Sequence, residues 1–159
     1  MTVTVGDIAP DFSLPANGGD TITLSAFKGQ YVVLFFYPKD DTSGCTKECI
    51  AFSDYREKFD ALNIKLIGLS KDSVKSHDKF IAKHNLNIDL VADEDCKTLE
   101  AYGAWVEKSM YGKKYMGAER STFIIDPEGK IAKLYRKVKV PGHVEAIYDD
   151  VQALACVSE

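Results

Sequence analysis

The chain has 159 residues, 45% of them hydrophobic and 28% charged, with a formal net charge of -4. That size and make-up fit one globular domain, residues 1–159, with one sizeable core. The mixed, slightly acidic charge gives no electrostatic case for nucleic acid or an anionic membrane surface, and no apolar run approaches the ~20 residues of a membrane span.

The N-terminus "MTVTVGDIAPDF" has no basic region leading into an apolar stretch, so no signal peptide is expected. "DFSLPANGGDTITLSAF" reads as two short strands around a Gly-Gly turn. "YVVLFFY", Tyr31 to Tyr37, has no charged residue on either face and reads as a central strand buried on both sides. Pro38 ends it, because proline cannot donate to the ladder. A helical pattern follows from about Gly44 to Leu62, with Thr42 or Ser43 as its N-cap. At 3.6 residues per turn, Ala51, Phe52, Tyr55, Phe59 and Leu62 share one face, and Cys45 and Cys49 lie at its edge.

"IKLIGLS" is the next strand. Asp72 or Ser73 then opens a helix running to about His84. "IDLVAD" reads as a short strand, and "KTLEAYG" as a short helix stopped by Gly103. "RSTFIID", the turn "DPEG" and "KIAKLYRKV" read as a strand and its hairpin partner, with "RKVKV" a solvated strand face. His143 to Ala155 form a terminal helix, with His143 capping or packing there. The predicted order is β-β-β-α-β-α-β-α-β-β-α, an α/β arrangement with a central mixed β-sheet flanked by helices. Tyr37, Trp105, Tyr111 and Tyr115 are expected in the core or at its rim.

The four cysteines, Cys45, Cys49, Cys96 and Cys156, are too few and too scattered to staple a secreted domain. A reducing, cytoplasmic setting is therefore expected. His77, His84 and His143 lie far from Cys45 and Cys49 in sequence. No C-x2-C or H-x3-H pair occurs, so neither a metal nor an organic cofactor is expected. Cys45 is the thiol whose position suggests chemistry. It follows a buried strand and sits in the first turn of a helix, where unpaired N–H groups favour thiolate over thiol. Pro38, Thr42 and Cys45 form P-x-x-x-T-x-x-C. The threonine hydroxyl can approach the sulfur, donate to a thiolate and hold an incoming oxygen, while the proline shields the pocket. Thiolate attack on an O–O bond needs these parts, together with donors aimed at the oxygens. The Gly44 and Cys45 N–H groups and an arginine would supply those donors.

P-x-x-x-T-x-x-C after an aromatic strand resembles the active-site signature of peroxiredoxins. "YPKDDTSGCTKE" is most similar to the branch called bacterioferritin comigratory protein, or PrxQ. "GDIAPDFSLPANGG", "EAYGAWVEKSMYGKKYMGAERSTFIIDPEGKI" and "VKVPGH" resemble other segments of that branch, so the likeness covers nearly the whole chain. It implies a thioredoxin-like fold and thiol-dependent reduction of hydrogen peroxide and alkyl hydroperoxides, an antioxidant activity. It matches Cys45 to the peroxidatic cysteine, with Pro38, Thr42 and Arg120 (in "ERSTF") beside it.

The resemblance leaves recycling open. A resolving cysteine is common five residues after the peroxidatic one, where this chain has Ile50, or in the next helix, near Ile81. Cys49 is four residues on. Helical residues at that spacing have Cβ atoms ~5–6 Å apart, whereas a disulfide wants ~3.5–4.5 Å, so pairing would require the first turn to unwind. Cys49 reads as a packing residue first. Cys49 and Cys96 remain candidate resolving thiols, with Cys156 behind them. The expectation is a one-cysteine enzyme, a monomer or weak dimer, reduced by thioredoxin, glutaredoxin or glutathione. Two other functions stand against this reading: a dithiol oxidoreductase using Cys45 and Cys49, which the C-x-x-x-C spacing opposes, and a non-enzymatic binding module.

Overall fold

The computed structural model describes residues 3–157, with side chains as far as Ala155. Cys156, named above as a candidate thiol, has its side chain outside the described set. Two short antiparallel strands, β1 (Ser13–Pro15) and β2 (Thr21–Thr23), flank a turn containing Gly18 and Gly19, both at positive φ. Only glycine adopts those angles at little cost, which explains the Gly-Gly pair.

The central strand β3 (Val32–Phe36) is buried along its whole length. It pairs in parallel with β4 (Lys65–Ser70), which pairs in parallel with β5 (Asp89–Ala92). On its other side β3 pairs antiparallel with β8 (Ser121–Ile125), and β8 with β9 (Ile131–Tyr135). The sheet order is β5-β4-β3-β8-β9, the mixed central sheet anticipated above.

Alternation along β3 divides the apolar core in two. Val32, Leu34 and Phe36 face one cluster with Phe12, Leu99 and Tyr102. Val33, Phe35 and Tyr37 face the other, which is closed by the long helices. Helix α1 (Ser43–Ala61) buries Cys45, Cys49, Phe52 and Phe59 against it. Helix α2 (Val74–His84) adds Phe80, and the C-terminal helix α4 (His143–Val157) adds Val144, Ile147 and Val151. Helix α3 (Lys97–Ala101) is short, and Gly103 follows it at φ 71°. Among the described residues no helix is long and apolar enough to cross a membrane.

One pair of strands was not anticipated. β6 (Trp105–Met110) and β7 (Lys113–Ala118) form an antiparallel hairpin apart from the main sheet. Its turn, Tyr111-Gly112, has φ of 52° and 78°. That is the double positive φ of a tight hairpin, built here with tyrosine where asparagine or aspartate is the usual signal. Polar and apolar residues are mixed on both of its faces, so no period-2 pattern marks it. Tyr111, expected in the core or at its rim, is 98% exposed at the tip. Arg136 also departs from expectation. It is half-buried over the Phe123 ring and donates to the carbonyls of Val3, Tyr102 and Gly103, so the start of "RKVKV" ties segments together and is not a solvated face.

Candidate active site

The site forms where the C-terminal end of β3 meets the N-terminal start of β8. Their register places Phe36 opposite Ser121. Arg120, just before β8, is thereby delivered beside the loop that leads from β3 into α1. Antiparallel pairing thus joins residues 75 apart in the chain: the Arg120 Nη2 donates to Cys45 Sγ at 3.3 Å. Gly44 allows this approach, because a Cβ there would lie 3.2 Å from Nη2.

Thr42 is the N-cap residue of α1, and its carbonyl accepts from the Thr46 N–H. Its side chain makes no capping bond, contrary to the sequence expectation. The hydroxyl donates instead to the Lys39 carbonyl at 2.8 Å. This corrects the expected polarity of the group. With its one proton committed to Lys39, Thr42 offers lone pairs to a neighbour and cannot also donate to a thiolate. Pro38 lies between the end of β3 and this turn, half-buried.

Cys45 is 1% exposed and Cys49 is fully buried in the same cluster. The edge-of-face position read from the helical wheel is therefore an inward one. Burial pushes the Cys49 thiol well above its ordinary range, and the nearby Glu48 and Cys45 add to the effect. Cys49 is packing in this conformation. Cys96, at the left-handed φ of 63° before α3, is half-buried, and its thiol is also pushed up, by burial and then by Asp93. Cys45, Cys49 and Cys96 are all free thiols.

Glu48 was not singled out from the sequence, and it is central to the site. It is fully buried, and its Oε1 accepts from Arg120 Nη1 at 2.6 Å. Its Oε2 has no hydrogen-bond partner. Burial raises its pKa to about 7, although the Arg120 charge pulls the other way. Burial opposes the charge on Arg120 too, but Glu48 and Cys45 outweigh it and hold the guanidinium firmly charged. Arg120 is therefore one cation shared by a thiol and a carboxyl. The available signal was spacing: residues 45, 48 and 49 lie close on one helical face, which marks Glu48 as a neighbour of Cys45 but shows neither its burial nor its cation.

Two further groups edge the site. Lys108 of β6 has its stem against Gly117, and its pKa is lowered by burial and by the Arg120 charge. His143 packs, as expected, between Phe52 and Tyr135, with Nε2 and the Thr122 hydroxyl 2.8 Å apart. Burial and the charge of Arg120 lower its pKa to about 4, so it is neutral at physiological pH.

A model of the AhpC/TSA family matches residues 5–134. The chain is 48% identical over 159 residues to peroxiredoxin Bcp of Bacillus subtilis, covering 100% of this chain and 99% of the relative. It is 47% identical over 147 residues to a putative peroxiredoxin bcp of Coxiella burnetii, covering 92% and 97%. Among solved structures it is similar to the bacterioferritin comigratory protein of Xanthomonas campestris, studied for alkyl peroxide reduction activity through trapped intermediate and ligand complexes. That match has a TM-score of 0.89 at 42% identity and covers 96% of this chain and 98% of the other. PrxQ of Xylella fastidiosa superposes with a TM-score of 0.91 at 38% identity, covering 98% and 99%.

Proposed function

This chain belongs to the AhpC/TSA family and is a thiol peroxidase of the peroxiredoxin type with a thioredoxin-like fold, and on that premise we propose that Cys45 is its peroxidatic cysteine, served by Thr42, Arg120 and Pro38. The observation that carries the assignment is the shared guanidinium: Arg120 donates to the Cys45 sulfur at 3.3 Å in the first turn of α1. There the Arg120 guanidinium and the N-terminal turn of α1 converge on one sulfur.

The chemistry follows from the donors and acceptors. The Cys45 thiolate attacks the terminal oxygen of ROOH. An S–O bond forms and the O–O bond breaks. Sulfur is oxidised to a sulfenic acid, and the leaving RO⁻ takes a proton to become ROH, or water from hydrogen peroxide. Thr42, its own proton on Lys39, accepts the hydrogen bond of the peroxide O–H. Arg120 donates to the oxygens as negative charge builds there. Pro38 screens the pocket. Hydrogen peroxide and alkyl hydroperoxides are the proposed substrates, the latter supported by the activity studied in the Xanthomonas campestris relative.

Recycling is proposed to use an outside thiol. The burial and raised pKa of Cys49 argue against it as a nucleophile, and Cys96 is pushed the same way. A first reductant thiol condenses with the sulfenic acid, giving a mixed disulfide and water. A second releases Cys45 and leaves the reductant oxidised. Thioredoxin, glutaredoxin or glutathione would serve, in a cytoplasmic setting. The reading takes residues 1–159 as one domain acting as a monomer or weak dimer.

The test treats fully reduced protein with equimolar hydrogen peroxide, blocks free thiols and maps the products by mass spectrometry. A sulfenic or sulfinic acid on Cys45, with the other thiols free, is expected. A disulfide from Cys45 to Cys49, Cys96 or Cys156 would replace the outside reductant with an internal one. Cys45 left reduced while other thiols react would overturn the assignment.

A further inference from the structure

A buried polar network lies on the far side of the Thr42 turn, and the peroxidase chemistry makes no direct use of it. Asp40 is its node. Its Oδ1 accepts from the Tyr37 hydroxyl at 2.6 Å, and its Oδ2 accepts from the Ser76 hydroxyl at 2.8 Å. His77 Nδ1 lies 2.8 Å from the same Oδ2. His77 is fully buried, and its Nε2 faces the Val91 carbonyl at 3.0 Å. A carbonyl only accepts, so Nε2 carries a proton, and one further proton is held between Nδ1 and Asp40. Burial, then Cys49 and Asp40, push the Tyr37 phenol well above its ordinary range, which keeps it a donor.

The backbone of Asp40 is held as well. Its N–H donates to Asp72 Oδ2 at 2.8 Å, and Asp72 is held in turn by the Ser70 hydroxyl at 2.7 Å. That N–H belongs to the same planar peptide unit as the Lys39 carbonyl, so clamping one side of the plane aims the other. The Lys39 carbonyl is the group that takes the Thr42 proton. Two constraints meet on Asp40: α2 and β5, through His77, hold its side chain, and Asp72 holds its N–H, and together they fix the 39–40 peptide plane and with it the acceptor of the Thr42 hydroxyl.

We propose that His77 and Asp40 are positioning residues for the peroxide step, acting through the Lys39 carbonyl to turn the lone pairs of Thr42 toward the substrate. The proposal rests on the reading above that Thr42 contacts the peroxide. It assigns the pair a role in orienting one hydroxyl, beyond filling the core.

The test measures the second-order rate of Cys45 oxidation by hydrogen peroxide, by stopped flow, in a double-mutant cycle. An asparagine side-chain amide can replace the Nδ1 donor to Asp40, whereas that of glutamine reaches the Nε2 position and serves Val91. His77→Gln is expected to slow oxidation about ten- to thirty-fold, less than the ~100-fold that a full 1 Å misplacement of a catalytic group can cost. His77→Asn is expected to stay within about three-fold of wild type, about 0.65 kcal/mol of barrier. In a Thr42→Val background, His77→Gln should add nothing further.

Equal slowing by His77→Asn and His77→Gln would overturn the proposal, as would additive losses from His77→Gln and Thr42→Val. If Thr42→Val alone keeps the wild-type rate, the Thr42 contact itself is wrong, a failure distinct from additivity. If the His77 variants do not fold, Ser76→Ala removes one donor from Asp40 at a half-buried position. It should slow oxidation a few-fold in wild type and not at all in Thr42→Val; slowing in both, or in neither, would overturn the proposal.

Discussion

Glu48 shows how a single side chain sets the electrical balance of the site. It holds Arg120 at 2.6 Å, yet one of its oxygens is buried without a partner. An acid of ordinary pKa 4.5 raised to about 7 binds more protons in the folded state than in the unfolded chain over that interval. The stability it contributes is therefore complete below about pH 4.5 and is lost as pH rises through about 7, at most about 3 kcal/mol in all. His143 works in the opposite direction, since its folded pKa is lowered from 6.5 to about 4 and stability rises with pH between those values. The difference between two proteins isolates Glu48. Urea unfolding of reduced wild type and Glu48→Gln at pH 5 and pH 8 should show wild type losing stability relative to the variant. Parallel pH dependences would mean that the carboxyl does not hold its proton in the fold.

At the scale of elements, the site depends on how closely the first turn of α1 approaches the start of β8. Gly44 makes the contact possible, and an added methyl would sit 3.2 Å from the Arg120 guanidinium. Arg120 is also held by Glu48, so it can yield only by leaving the sulfur. Gly44→Ala is expected to lower the rate of Cys45 oxidation by about tenfold, roughly 1.4 kcal/mol of barrier. Helix propensity at that position favours alanine, so the melting temperature should hold or rise. A variant that keeps the full rate would show that the Arg120–Cys45 contact does not limit the chemistry. The hairpin β6–β7 supplies Lys108 to the same neighbourhood, although it shares no ladder with the main sheet.

Across the whole molecule, the sheet separates two cores, and the thiols are distributed unequally between environments. Cys45 and Cys49 face the cluster under α1 and α4, while Cys96 packs half-buried against the other. Alkylation of the native reduced protein should therefore modify Cys96 well before Cys49, which should react only when α1 opens. Timed labelling with peptide mapping checks this order. Labelling of Cys49 as fast as Cys96 would show that the second turn of α1 opens without global unfolding, and would reopen Cys49 as a resolving thiol.

The sequence by itself determined the elements whose signals are local. The unbroken apolar run of β3, the proline that ends it, the N-cap of α2 and the turn of β1–β2 each rest on residues close together in the chain. So does P-x-x-x-T-x-x-C, because three of the four proposed site residues lie within a single strand–turn–helix. Arg120 was reached only through resemblance, since nothing local indicates that β8 runs antiparallel beside β3. Tertiary structure alone decided the inward position of Cys49, the pairing of Glu48 with Arg120, the direction of the Thr42 hydroxyl bond and the clamp of Asp40 by His77. The first, second and fourth depend on desolvation or on a donor supplied from elsewhere in the chain; the third joins residues three apart, but its acceptor belongs to a peptide whose N–H is held by Asp72. A helical wheel shows which residues share a face, but burial and hydrogen-bond partners are properties of what packs against that face.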